Sequence, residues 1–333
     1  MILPPSLNNH LRKITGMDIH TAERVTGGSI NDAVRLNTSG GTLFLKWNRN
    51  SPPGMFSAEA RGLEILRKAA DAIRIPRVIR YSDPKGGPRG SDESSQDSEH
   101  RYKKRGEGRH DPDQSSQNHG SDTYGPYETL HDVPFLLMEF IEPGHGSDTS
   151  SLQFGQQLAT LHQTSAECFG LDHDNHIGRL PQSNRHHSDW IEFFITERID
   201  PQLKQAIDSR AVGSGVADRW KRVARQLPDL IPVARPALLH GDLWGGNYMF
   251  DGSGRAVLFD PAVYYGHHEM ELAFTKLFGG FSEPFYEGYE EVAPLEPGFQ
   301  DRIPIYNLYP LLVHVNLFGG HYIRQAEQIL RNF

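Results

Sequence analysis

The chain has a single cysteine, Cys168, among its 333 residues. That excludes an intramolecular disulfide framework and suits a reducing compartment. There is no uninterrupted apolar run of about 18 residues, the length a bilayer-spanning helix needs. The first residues, MILPPSLNNHLRK, lack a basic n-region followed by a long apolar h-region, so a secretory signal is not expected. A cytoplasmic protein is expected, with no membrane partner. Excess basic charge is missing too. The formal net charge is −8, which provides no field for non-specific nucleic-acid binding. What is present is apolar material, 37% of residues, enough for a large core and two lobes.

Aliphatic residues almost disappear between residues 84 and 128, where Ser, Gly, Asp, Arg and His dominate. Such a segment cannot bury enough apolar surface to offset its ordering entropy, so it is expected to be a disordered surface insertion. Before it, AERV and NDAVRLNT flank a Gly-Gly bend, and TLFLKW is a compact strand. SPPGMFSAEARGLEILRKAA then places Ala60, Leu63 and Leu66 at helical spacing. With RIPRVIRYSD and VPFLLMEFIE, residues 1–140 read as a small antiparallel sheet with one helix. Residues 141–333 read as mainly helical. Phe154, Leu158 and Leu161 recur at helical spacing after Ser/Thr caps. SDWIEFFITERIDPQLKQAI is expected to be a helix broken at Pro201. The fold class is α+β, with a small β-rich lobe preceding a larger helical one.

The chemistry concentrates in HGDLWGGN, residues 240–247, and FDPA, residues 259–262. Each follows a short apolar strand, where a scaffold presents side chains rigidly. Phosphoryl transfer needs a carboxylate to orient the attacking hydroxyl and oxygen ligands to hold Mg²⁺ against nucleotide phosphates. Asp242, Asn247 and Asp260 could supply these, with the Asp-to-Asn spacing of the protein-kinase pattern H-R-D-x-x-x-x-N followed by D-F-G. Gly241 stands where that pattern has Arg. Two polar turns would explain the same residues, so their partners decide the matter. Lys46 ends the TLFLKW strand, where a phosphate-contacting lysine would sit, and Glu59 on the next helix could pair with it. Gly27, Gly28 and Ser29 form a turn that could cover the phosphates with backbone N–H groups. Met138, Glu139 and Phe140 sit where a hinge would receive adenine. Trp244 offers a face for a sugar ring or packs the turn. Tyr264, His267, His268 and Glu269 occupy the position of an activation segment, and His267 is carried with Trp244 as a candidate substrate contact.

These fragments, together with QLATLHQ, IGRLPQSN, DWIEFFITERIDPQL and DPAVYYGHHEMELAFTKLFGGF, resemble the fructosamine (ketosamine) kinases, relatives of the aminoglycoside phosphotransferases. The resemblance runs from about residue 16 to the C-terminus, with 84–128 as the one large departure. It implies a two-lobed protein-kinase-like fold, a nucleotide-binding lobe over 1–140 and a catalytic and substrate lobe over 141–333. It also implies ATP as donor, Asp242 as catalytic base or hydroxyl orienter, and Asn247 and Asp260 as Mg²⁺ ligands. Lys46 would contact the α/β-phosphates, with Glu59 as its partner. The implied substrate is a small or protein-bound ketosamine, and the implied role is deglycation or metabolite repair. Some relatives carry Cys where this chain has Ser29, so a redox switch there is not expected. Two other readings stand beside it. One is a kinase of another hydroxyl compound, such as an aminoglycoside, choline or a hexose; the other is an inactive kinase fold used as a binding module.

Overall fold

The computed structural model describes residues 3–25, 30–84, 132–213 and 215–333. Gly27, Gly28 and Ser29, and all of the 84–128 segment beyond Pro84, lie outside the described residues. The chain opens with α1 (Pro5–Thr15), which sequence reading did not anticipate. Pro5 suits a first helical turn, where no amide hydrogen is needed, and Gly16 closes the helix in the left-handed conformation. Leu7 and Leu11, four residues apart, form its buried stripe, and Leu3 just before the helix is buried beside them.

Five strands follow: β1 (Ile19–Arg24), β2 (Asp32–Thr38), β3 (Gly41–Trp47), β4 (Val78–Ser82) and β5 (Phe135–Glu139). They pair antiparallel in the order β1-β2-β3-β5-β4. Because side chains alternate along a strand, the sheet has two different faces. Val34, Leu36, Leu43, Leu45, Trp47, Phe135 and Leu137 pack on α1 as a small core of their own. Lys46 belongs to the other face, in register with Leu136 of β5 and Ala33 of β2. On that side, α2 (Met55–Ala69) packs Phe56, Ala60, Leu63 and Leu66 into a second core continuous with the helical half. Gly62 is the point of closest approach, because a Cβ there would lie 3.3 Å from Pro261.

The C-terminal half contains α3 (Asp148–Leu161), hairpin β6–β7 (Asn175–Ile177, Leu180–Gln182), α4 (Trp190–Phe193), α5 (Asp200–Asp208), α6 (Gly215–Ala224) and α7 (Leu227–Leu230). Short strands β8 (Ala237–Leu239), β9 (Tyr248–Phe250), β10 (Ala256–Leu258) and β11 (Tyr264–Gly266) carry the polar loops. The chain closes with α8 (His268–Leu277), α9 (Glu283–Val292), α10 (Phe299–Phe318) and α11 (Tyr322–Asn332). The helix expected to break at Pro201 does not break there. A π-helical turn, Phe194–Ile199, joins α4 to α5, and Pro201 sits in the first turn of α5. In the wider turn Asp200 N–H bonds Ile195 O, five residues back, and Pro201 follows in a first helical turn, where its missing N–H costs little. Helices α3 and α9 meet through two glycines: a Cβ on Gly155 would lie 1.9 Å from Phe285 O, and one on Gly288 2.0 Å from Leu152 O. Among the described residues no helix is long and apolar enough to cross a membrane.

Candidate active site

A cleft of ≈ 640 Å³ separates the sheet from the helical half. The alternation that buries Leu45 and Trp47 against α1 turns Lys46 toward this cleft, and its side chain is nearly fully buried there. Its Nζ lies 2.5 Å from Glu59 Oε1 on α2 and donates to Asp260 Oδ1 at 2.8 Å. Three residues distant in sequence therefore meet on one ammonium. Burial alone would lower the Lys46 pKa, but Asp260 and Glu59 overcome it and push it up to about 12. Burial pushes Glu59 up, to about 7, against the pull of Lys46 and with the help of Asp260. One cation thus serves two carboxylates, which leaves the cluster with a surplus of negative charge. The contact with Glu59 is close in distance but poorly aligned, and Glu59 Oε1 accepts no well-formed hydrogen bond.

Asp242 lies in the loop after β8, half-buried in the cleft. Asn247 Nδ2 donates to both its backbone oxygen and its Oδ2 at 2.8 Å, fixing the carboxylate's rotamer. The protein packed around Asp242 raises its pKa well above the ordinary value; the Asn247 bond opposes this, and the charges of Asp260 and Glu271 add to it. Asp260 adopts a left-handed backbone, φ 56°, a conformation that Asp tolerates better than most residues. Backbone pairing then ties the two loops together: Phe259 N donates to Asn247 O and Ala262 N to His240 O. Gly241 is also left-handed, φ 83°, and a Cβ there would lie 2.0 Å from Ala262 O. No side chain fits where the kinase pattern has Arg.

Sequence reasoning missed two residues. His240 Nε2 donates to Phe259 O at 3.0 Å, so its Nδ1 is the bare nitrogen that accepts Asp242 N–H at 3.3 Å. Burial keeps its pKa low and the ring neutral. Glu271 on α8 accepts the N–H groups of His240 (3.1 Å) and Gly241 (2.7 Å) and bonds His162 at 3.0 Å. His162 in turn bonds the Tyr289 hydroxyl at 2.8 Å. Burial would raise Glu271, yet His162, His240 and the Gly241 amide together hold it below the usual range. These contacts cross from one element to another and leave no local spacing signal; position alone, beside the Gly-Asp pair, hinted at His240.

Met138, Glu139 and Phe140 line one end of the cleft. Arg74 bridges Glu139 and Asp251, both at 3.1 Å, and so straps that end to the turn after β9. Trp244 lines the cleft next to Asp242, its ring edge-on to Phe278 with centroids 6.1 Å apart. His267 is placed elsewhere. It is fully buried and caps α8, where its Nδ1 accepts Glu269 N–H and its Nε2 donates to Pro232 O. A histidine read as part of an activation segment is thus a helix cap, which excludes it from the cleft.

Among the described residues no group of three or more His, Cys, Asp or Glu is arranged to hold a metal unaided. The donors that are present, the Asp260 carboxylate and the amide oxygen of Asn247, suit a hard cation that fills its coordination shell with phosphate and water oxygens. The surplus negative charge around Lys46 fits the same group.

Fold and site together define a two-lobed phosphotransferase of the protein-kinase-like class. The profile described as Fructosamine kinase matches residues 5–333. The chain belongs to this family. A protein named probable ketoamine kinase from Synechocystis is 36% identical over 331 residues, covering 98% of this chain and 95% of that one. The chloroplastic protein-ribulosamine 3-kinase of Arabidopsis thaliana is 34% identical over 314 residues, covering 93% of this chain and 81% of the relative. A crystal structure from Thermobifida fusca, described as a putative fructosamine-3-kinase, is 29% identical with a TM-score of 0.75 and covers 98% of this chain and 97% of that one.

Proposed function

We propose that this protein transfers the γ-phosphoryl group of ATP to a sugar hydroxyl of a ketosamine. The observation that carries this reading is the convergence of Lys46, Glu59, Asp260, Asp242 and Asn247 on one cleft in a chain of the fructosamine kinase family. Asp242, oriented by Asn247, accepts the proton of the acceptor hydroxyl. That oxygen forms a bond to the γ-phosphorus as the bridging P–O bond to ADP breaks. Lys46, steadied by Glu59, contacts the α/β-phosphates and offsets charge on the leaving group. Asn247 and Asp260 would hold Mg²⁺, which neutralises phosphate charge when bound. Met138–Phe140 receives the adenine, and Trp244 packs against the sugar. Phosphorylation destabilises the sugar–amine adduct, so the amine is released, and the role that follows is deglycation or metabolite repair.

The test is incubation with Mg-ATP and a panel of fructosyl- and ribulosyl-amines, hexoses, choline and aminoglycosides, with products located by phosphorus NMR. Transfer to ketosamines is expected. Transfer to aminoglycosides but not to ketosamines would overturn the substrate, and nucleotide binding without any transfer would indicate a binding module.

A further inference from the structure

The β6–β7 hairpin, Asn175 to Gln182, has no role in the mechanism above, yet it is built into the cleft with unusual care. Asn175 Nδ2 donates to Val263 O at 2.8 Å, and Gln182 Nε2 donates to Asn175 Oδ1 at 2.7 Å and to Ala262 O at 3.2 Å. Tyr309 on α10 completes the chain by donating to Gln182 Oε1 at 2.6 Å. Asn175 and Gln182 are buried, so these polar bonds form in a low-dielectric setting and hold the hairpin in register with the segment immediately after Asp260. At its turn, Gly178 is wedged between Ile30 of the sheet half and Leu317 of α10: a Cβ there would lie 3.0 Å from each.

Asn175 and Ile177 are buried and His176 between them is half-buried, and all three line the cleft. The His176 Nδ1 is shut off from solvent and has no partner among the described residues. An orphaned N–H costs more than an orphaned lone pair, so Nδ1 is the bare nitrogen and Nε2 carries the hydrogen. Burial lowers the His176 pKa, against the charge of Asp83, so the ring is neutral. It is a neutral donor with no hydrogen-bond partner among the described residues. The register of the five-stranded sheet orders the cleft. Met138 pairs with Phe44 at the hinge end, and Lys46 lies two residues further along β3, with Glu59 of α2 beside it. His176 belongs to the strand that packs on α2, and it lines the same cleft as Lys46, Glu59 and Asp242. A nucleotide with its base at the hinge and its phosphates at Lys46 places the acceptor there.

We infer that His176 is an acceptor-contact residue, its Nε2–H donating to a hydroxyl oxygen of the sugar that Asp242 activates. The inference rests on the ketosamine kinase reading above. The test is steady-state kinetics of His176→Leu and His176→Gln with Mg-ATP and fructosyl-lysine, beside the unmodified enzyme and a set of mono-deoxy fructosyl-lysines. His176→Leu should raise the acceptor KM about tenfold, the loss of one hydrogen bond, with the ATP KM within about twofold. His176→Gln, which keeps a donor, should recover most of the loss. One deoxy analogue should lose the same factor with the unmodified enzyme and lose little more with His176→Leu. An unchanged acceptor KM, an ATP KM that moves in parallel, or additive losses for every analogue would overturn the assignment. If His176→Leu fails to fold, as judged by thermal melting, the comparison passes to His176→Ala, which also lacks the donor, against the deoxy set, where additivity again refutes it. An unmodified enzyme inactive on every ketosamine would bring down the functional reading itself, and the inference with it.

Discussion

Two buried ionic clusters lie in the same half-continuous core and behave in opposite ways. Around Glu269, Arg302 donates through Nε at 2.7 Å and through a terminal nitrogen at 2.5 Å, and the Tyr306 hydroxyl adds a third bond at 3.1 Å. Two further Arg302 N–H groups donate to Pro297 O and Glu296 O. That cluster is neutral and saturated. Around Lys46 two carboxylates share one ammonium, Asp260 stays open to the cleft, and Glu59 Oε1 has no aligned donor. Both cost desolvation, but only the first recovers it within the protein. A buried polar cluster left incomplete is one held ready for a ligand's charges.

The comparison can be broken from either side. The largest effect is expected from Asp242→Asn, which keeps the fold and removes the base. The kcat should fall about 10³-fold, roughly 4 kcal/mol, with ATP affinity nearly unchanged. Full activity would refute the role. Next comes Arg302→Met, which strands Glu269 and should cost roughly 3–5 kcal/mol of stability by denaturant titration. A wild-type midpoint would show that the saturated cluster contributes nothing. Lys46→Met should do the reverse. Glu59 can protonate once its cation is gone, so the melting midpoint should drop by less than that of Arg302→Met, while ATP binding weakens about tenfold or more. An equal loss of stability in the two variants would erase the distinction.

The smallest effect concerns pH. Burial and the neighbouring His268 lower His267 to about 3, and burial with nearby His162 lowers His268 to about 4. Both folded-state values lie below the ordinary 6.5, so folding favours the neutral rings. Their contribution is fully present above about 6.5 and is lost as pH falls through 6.5 toward 4. The melting temperature should decline between pH 7 and pH 5, and His267→Asn, which retains a cap acceptor, should decline less steeply. Parallel profiles would remove His267 as the cause.

Much of this site could be read in the chain, for reasons that differ residue by residue. Lys46 follows from period-two alternation beside Leu45 and Trp47, and Glu59 from its place on the next amphipathic helix. Asp242, Asn247 and Asp260 declare themselves by spacing after short apolar strands. Glu271 and His162 could not be found that way, because they act on the backbone of a loop distant in sequence. His267 misled because Asp260 lies just upstream, and nothing local separates a helix cap from an activation segment. Helix α1 was there to be seen in Leu7 and Leu11, with Leu3 just before them, a stripe hidden by the prolines and asparagines among them. The route through Pro201 depends on a widened turn that no propensity announces.

Gly241 carries a consequence for control. Kinases with arginine at this position can couple their catalytic loop to a phosphorylated activation loop through a new Arg–phosphate pair. Here the left-handed backbone and the carbonyl of Ala262 leave no volume for even a methyl group. A covalent on-switch of that kind cannot be installed by substitution at this residue without rebuilding two loops. The catalytic loop is instead held from within the fold, by Glu271 accepting the His240 and Gly241 amides.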